Sequence, residues 1–502
     1  MNLLTKFLKS QKGVIIYYIL VFGTIFLLLM SGLMGFISLQ MKQTSQKVAW
    51  SKSLNIAEAG INYYLWCINN NIESDCLLEG NERNYAPLGI SIGKFSLSVV
   101  STVSCGQNIQ KEIISTGWTN QFPEIKRKIN VLYARASVAE YSYILNNNVW
   151  IGDSHQIRGP YHSNGGIRID GENKSIMTSA QTNWACSDSF GCSPCPSENG
   201  CYIASSTCYC PGVFTTTVNS NPSLFDFPVP SFDFNGITVD LAEIKRLTSV
   251  DGQGLYFGPS GQKGYHVIFN QNGTIDVWKV ADVNMINNVC TIVGSDIICD
   301  NDSCSPECSS CQSGHCVVKD PVINIENSLG NYTIPNDCGA IFFEDNLWVG
   351  KENQTSTVKG KVTVVAADLI NPGGKADVWL QGNIDYTTLD GSDGLAIIAQ
   401  HNNLIGLYSP DYMTIKGIFI AQTGFFGRNY YSSSYSPYYK RNTLEIMGSV
   451  VSNGRVGTQW GNWSSGYLNR ESYFDPNLIY NSPSFVPYIE PDFKIINWTE
   501  TK

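Results

Sequence analysis

From Val14 to Leu39 the chain runs for 26 residues without a charge and with few polar side chains. At about 1.5 Å per residue such a helix is about 39 Å long, more than the roughly 30 Å hydrocarbon core of a bilayer. A cleaved secretory signal has a shorter apolar core and a small-residue cleavage site after it, and this run has neither. Beyond Gln40 the apolar positions recur every three or four residues, at Leu54, Ala57, Ile61, Tyr64/Leu65 and Ile68, with Ser53, Asn55 and Asn62 on the opposite face. The pattern predicts one continuous helix from Val14 to Trp66, half of it suited to lipid and half to packing on a soluble domain. Strict alternation follows in Ser91 to Ser104, Glu112 to Trp118 and Glu124 to Tyr133, which reads as three antiparallel strands covering the helix stripe. In the last of these Ile125, Arg127, Ile129, Val131 and Tyr133 share a face, with Lys126 and Lys128 opposite. Arg127 in that series implies a face only partly buried, or a register one residue away.

A second periodicity begins later. Ile157-Arg-Gly159-Pro-Tyr161, Val358-Lys-Gly360-Lys-Val362, Leu380-Gln-Gly382-Asn-Ile384, Ile415-Lys-Gly417-Ile-Phe419 and Ile446-Met-Gly448-Ser-Val450 share the pattern apolar-x-Gly-x-apolar, and two copies run on to Ser-Asn-Gly at the same offset, at Gly165 and Gly454. Short strands repeating every 20 to 35 residues or so predict a stacked solenoid, read here as a right-handed parallel β-helix. Antiparallel hairpins with turn glycines are the alternative. The repeat lapses between Trp184 and about Asp337. There Asp240 to Leu247 reads as a short amphipathic helix, and Gly264 to Val280 as a hairpin turning at Asn272-Gly273.

Composition narrows the class. Charged residues are scarce at 15%, while 45 glycines and 12% aromatics favour strands and tight turns, so the chain is mainly β after its first helix. A length of 502 residues suggests two to four domains. The formal charge of −9 works against a phosphate backbone except at a local patch. Sixteen cysteines are present: Cys67, Cys76 and Cys105; six from Cys186 through Cys192, Cys195, Cys201 and Cys208 to Cys210; and seven from Cys290 through Cys299, Cys304, Cys308, Cys311 and Cys316 to Cys338. Cys192/Cys195 and Cys308/Cys311 have the spacing of zinc knuckles, but no regular partner spacing accompanies them. In an exported chain disulfides are the expectation, with pairing left open.

Lys6, Lys9 and Lys12 precede Gly13 and the apolar run, which places the leader on the cytoplasmic side and the rest outside. A basic leader, Gly13-Val14 at its junction with a long apolar helix, and Ala57-Glu58-Ala59-Gly60 on the amphipathic half resemble type IV pilins, in particular PilX-type minor pilins and the related GspK-type pseudopilins of type II secretion. The resemblance implies cleavage after Gly13 by a prepilin peptidase and methylation of Val14. It also implies partnership with other pilins through the helix and with an inner-membrane assembly platform. The location implied is the cytoplasmic membrane first and an extracellular pilus afterwards. Major pilins carry glutamate at the fifth mature position, here Tyr18. A subunit with no neighbour above it has no terminal ammonium to neutralise, so this departure implies a place at the tip. The expected layout is a leader at 1–13, a transmembrane and filament-core helix at 14–39, a pilin-like α+β stem at 40–136, a solenoid at 145–183 and 338–460, a Cys-rich insertion at 184–337, and a tail at 461–502 packed on the solenoid.

Chemistry is sparse. The histidines at 155, 162, 266, 315 and 401 are scattered, and His162 reads as a rung-packing residue. Asp390 and Asp393 in a glycine-containing loop form at most a weak calcium site, and no catalytic pair is expected, so the chain reads as a non-enzyme without an obligatory cofactor. Arg428, Tyr430, Tyr431, Tyr435, Tyr438, Tyr439, Lys440 and Arg441 form the candidate binding loop, with stacking faces and local positive charge suited to a surface, a glycan or DNA; a loop folded over the solenoid as a cover is the other reading. The expected function is a minor pilin active in assembly, whose head serves adhesion or DNA capture. A type II secretion pseudopilin, or a surface adhesin whose anchor is never cut, are the alternatives.

Overall fold

The computed structural model describes residues 11–77, 82–235, 239–293, 296–304, 308, 310–490 and 492–501. Most of the leader, with Lys6 and Lys9, lies outside them. The chain divides into two units, one comprising residues 1–101, 111–133 and 495–502, the other residues 102–110 and 134–494.

In the first unit a single helix, Gln11–Asn69, carries both halves of the expected pattern. Its N-terminal portion exposes apolar side chains on every side. Its C-terminal portion buries Ile56, Ala57, Ile61, Tyr64 and Cys67. The buried stripe is rotated from the expected one. Ser53, expected on the polar face, is fully buried and donates to the carbonyls of Ala49 and Ile125, whereas Leu54, Leu65 and Ile68 are half-buried. Close approach explains the rotation. A Cβ on Gly60 would lie 2.2 Å from Ser115 Oγ, and one on Gly117 would lie 2.4 Å from the Ala57 nitrogen and the Ser53 carbonyl, so the smallest side chains face the sheet.

That sheet has five strands rather than three, in the order Glu82–Tyr85, Gly93–Ser104, Gln107–Thr119, Arg127–Ala134, Lys494–Thr501. Arg127 is buried without a register slip. Its guanidinium pairs with Glu500 and lies 3.3 Å from the centre of the Trp50 ring, which is how a cation is tolerated in an apolar series. The last strand also corrects the expected tail: residues 494–501 belong to this sheet. The whole second unit except the hairpin segment 102–110 is therefore inserted between two neighbouring strands.

In the second unit parallel pairing dominates. One path of ten strands runs Phe225–Asp226, Met177–Ser179, Tyr161–Ser163, Tyr143–Leu145, Lys440–Ser452, Tyr412–Ala421, Gly394–Ala399, Lys361–Ala366, Ala340–Phe343, Leu255–Phe257, every neighbouring pair parallel. A second line of parallel strands joins Gly264–Asn270, Leu347–Val349, Val378–Leu380, Asn403–Ile405 and Phe426–Gly427. A third passes through Asn383–Tyr386, the first halves of Tyr412–Ala421 and Lys440–Ser452, Ser465–Tyr473 and His155–Ile157. Between 340 and 452 the chain visits these lines in turn, and Val364, Leu395, Ile397, Ile415, Phe419 and Val450 of successive strands bury into one cluster. Like stacks on like. Trp348 on Trp379, Phe257 on Phe343 and Tyr143 on Tyr161 are in-register pairs with ring centres 4.7 to 4.8 Å apart. At one corner Asn164 donates to Asn146 and Asn146 to Asn453, both at 2.8 Å, so the matching Ser-Asn-Gly copies stand on one ladder with Asn146 between them.

The boundaries of this stack differ from the expected ones. The segment 184–337 is not a continuous excursion, because Val213–Phe214, Phe225–Asp226, Leu255–Phe257 and Gly264–Asn270 within it pair with strands of the stack. Ser465–Tyr473, expected in a tail, pairs along Lys440–Ser452. The short helix runs Leu241–Ser249 and is capped by Asp240, whose carboxylate accepts the Glu243 N–H. The hairpin turns at Gln271 to Gly273. All sixteen cysteines are paired, as 67–76, 105–338, 186–192, 195–208, 201–210, 290–299, 304–311 and 308–316. Neither Cys-x-x-Cys motif pairs within itself or stands free for zinc.

Of the repeat glycines, Gly417 and Gly448 are register partners with φ of +148° and +136°, and a Cβ on Gly448 would lie 1.9 Å from the Gly417 carbonyl oxygen. Gly360 and Gly382 are not on that line, where Val362 and Leu395 stand instead. Gly448→Ala is expected to destabilise the protein by about 3 kcal/mol, through backbone strain and the collision together. Denaturant unfolding checks this, and Gly360→Ala, off the line at a φ of +81° with open space for a Cβ, is the comparison that keeps the strain without the collision.

Candidate functional site

The first candidate surface is the N-terminal helix. Gly13 and Val14 lie within it rather than in a separate loop, and Val14 and Tyr18 are each 55% exposed. Among the described residues it is the one helix long and apolar enough to cross a membrane, with a window of mean hydropathy 2.5.

The tyrosine-rich loop is a packed cover. Arg428 is fully buried, and its guanidinium donates to the carbonyls of Gly406, Leu407 and Tyr438 and to Ser409 Oγ. Tyr431 is buried against it, with the Arg428 guanidinium 4.8 Å from the ring centre. Tyr430–Tyr431 pairs with Val289–Cys290, Tyr435 accepts the Asn287 N–H, and Tyr438 packs on Tyr408 and on the buried Arg441. Tyr439 and Lys440 are half-buried, Lys440 lying over the rings of Tyr439 and Trp463. Arg428, Tyr431 and Arg441 are thus not on offer to a ligand, and the expected binding loop is corrected to a structural one.

Asp320, buried beside this cluster, accepts the Trp379 indole N–H at 3.2 Å. Burial raises its carboxyl to about 6, against the opposing pull of Tyr431, Asn429 and Arg428.

The carboxylates expected as calcium candidates are engaged within the protein. Asp393 accepts from the Gly360 and Thr388 N–H groups and the Thr388 hydroxyl, and Asp390 from Ser392 and Thr388. The two close a loop. His162 bonds Thr178 and Asn164 and meets Phe232 edge-on, as a packing residue does. His155 bonds Ser472, His266 bonds Glu326, and His401 bonds Asp377.

What the sequence motifs do not reveal is a cleft of about 950 Å³ in the second unit, between the corner at 149–155 and the loop at 455–463. Trp150, Trp460 and Trp463 line it, and their indole N–H groups are bonded to Asp170, the Arg428 carbonyl and the Gly466 carbonyl respectively. Arg168 pairs with Asp170 at 2.8 Å and lies over Trp150. Arg470 donates to Ser154 at 2.7 Å while its buried Nε has no hydrogen-bond partner among the described residues. Arg455 donates to the Ser189 carbonyl at 2.9 Å, and its buried Nη1 likewise has no partner there. Burial alone pulls the Arg455 guanidinium down to about 10. These residues come from segments some 300 positions apart, so no local motif signals them.

No protein-family model matches the chain, and no curated protein matches it. Among solved structures, the competence-associated pilin ComZ from Thermus thermophilus is similar with a TM-score of 0.28 and 12% identity, over 90% of this chain and 97% of that one.

Asp320 supplies a pH test. Its folded value lies above the ordinary 3.8, so the stabilisation it contributes is complete below about pH 4 and is lost as pH rises through about 6. At about 1.36 kcal/mol per pKa unit the loss is on the order of 3 kcal/mol. Urea unfolding between pH 4 and 7 is expected to show a flatter stability profile for Asp320→Asn than for the unsubstituted protein. Equal profiles would show that this carboxyl does not titrate in the window.

Proposed function

We propose that the chain is a subunit of a type IV pilin-like filament, cut between Gly13 and Val14 and methylated on Val14, and that it is a minor subunit at or near the tip. The observation that carries this reading is one unbroken helix, Gln11–Asn69, apolar and exposed all round over its first half and buried along one stripe over its second. An exposed apolar surface of that extent requires a covering, first by lipid and then by like helices in a fibre. Tyr18 supports the tip position, since it supplies no carboxylate to pair with a neighbour's terminal ammonium. The second unit is on this reading a parallel β-helix, a solenoid of the right-handed sense that parallel crossovers favour, carried for contact with a surface or a soluble ligand. The three lines of parallel strands and the in-register aromatic stacks support that reading. Prepilin peptidase and an inner-membrane assembly platform are the partners it implies.

Mass spectrometry of the N-terminus from native cells is expected to find N-methyl-valine at Val14, and Gly13→Val is expected to retain the leader and keep the chain out of sheared filaments. A native chain that still begins at Met1 rejects the reading.

A further inference from the structure

We infer that the cleft between residues 149–155 and 455–463 binds an acidic oligosaccharide, its sugar rings against the tryptophans and a carboxylate on Arg455 and Arg470. This goes beyond the filament reading and stands whether or not the chain assembles into a fibre.

Four observations converge on it. The three indole N–H groups are all spent on protein acceptors, so Trp150, Trp460 and Trp463 offer ring faces and edges rather than donors. That is the chemistry for the C–H face of a pyranose. Second, Arg455 and Arg470 line the wall, and each keeps one buried guanidinium nitrogen, Nη1 and Nε respectively, without a hydrogen-bond partner among the described residues. A buried donor left unmade is costly, more so on a charged group, and a carboxylate brought against the guanidinium offsets that cost. The charge is also unbalanced. Arg168 is matched by Asp170 and Arg470 faces Asp153, but among the described residues no carboxylate pairs with Arg455, whose guanidinium lies 4.2 Å from the centre of the Phe190 ring. Third, Trp463 adopts φ of +54°, a left-handed conformation costly for a bulky residue. Its ring is held at the cleft by Lys440 at 4.6 Å and by the bond to Gly466.

Fourth, the cleft continues past Asp153, Ser154, Asn219 and Arg470 into a smaller trough of about 430 Å³ that also contains Glu172 and Glu471. Carboxylates there accept sugar hydroxyls but repel a run of phosphates, and the protein's charge of −9 adds to that repulsion. An occasional carboxylate among many hydroxyls fits this distribution of charge, and a polynucleotide does not.

The test uses the full chain in detergent micelles, titrated calorimetrically with trigalacturonate, a hyaluronan hexasaccharide and sialyllactose, with the methyl ester of each and with a ten-residue oligothymidylate. At least one acidic sugar is expected to bind, to quench tryptophan fluorescence, and to lose roughly tenfold in affinity as its ester. Arg455→Gln is expected to lose a similar factor. Trp463→Gly, which puts the residue best suited to a left-handed backbone at that position, is expected to keep the melting temperature while losing binding. The inference is overturned if none of the three acids binds, if acid and ester bind equally, if Trp463→Gly binds like the unsubstituted protein, or if oligothymidylate displaces the sugar.

Discussion

Everything in the second unit depends on one seam of backbone hydrogen bonds. Tyr143–Leu145 pairs in parallel with Val450–Ser452, about 300 residues later in the chain, and this pairing joins two half-stacks that advance in the same direction, the later one ending where the earlier one begins. From the seam the earlier segment builds outward through Tyr161, Met177 and Phe225. The later segment begins at the opposite extreme, at Leu255, and works back through Ala340, Lys361, Gly394 and Tyr412. Neither half ends on bare strand edges at the seam, and the stack of Tyr143 on Tyr161 continues from the pairing of Tyr143 with Val450. Parallel strands have no hairpin to set their register, so register falls to the side chains: asparagine on asparagine, aromatic on aromatic, and Gly417 beside Gly448.

The same seam organises the candidate site. The corner at 149–155 belongs to the early half and the loop at 455–463 to the late half, and the cleft opens where the two meet. Arg470 shows the coupling. It lies on Ser465–Tyr473, pairs in register with His155 on the opposite half, and donates to Ser154. Trp150, Arg168, Trp460 and Arg470 are therefore held from both directions by strands, while Arg455 and Trp463 face the cleft from the connecting loop.

How much of this was legible in the amino-acid pattern depends on the distance between cooperating residues. The long helix was fully legible, because its period is written into consecutive side chains. Its face was misjudged by about one residue, because Ser53 is buried through close approach to the sheet rather than through hydrophobicity. The repeat was legible as a period, yet Gly360 and Gly382 matched it by composition while standing off the Gly417–Gly448 line. The strand Lys494–Thr501 carried too little apolar alternation to announce its place in a sheet started some 400 residues earlier. The tyrosine-rich loop drew attention through its composition, and composition says nothing about whether an arginine such as Arg428 finds four acceptors indoors. The cleft was invisible for the complementary reason: its tryptophans and arginines are unremarkable in each segment and acquire meaning only through the seam.

The insertion has a consequence of its own. The chain departs the five-stranded sheet after Ala134 and rejoins it at Lys494, on neighbouring strands that lie about 5 Å apart by ordinary β geometry. A compact module whose own ends come that close fits the same socket, provided that the hairpin tip at 102–110, bonded through Cys105 to Cys338 of the inserted unit, changes with it. Lineages are thereby free to exchange the cargo while the mounting stays constant, so variation among such chains should concentrate between those two junctions.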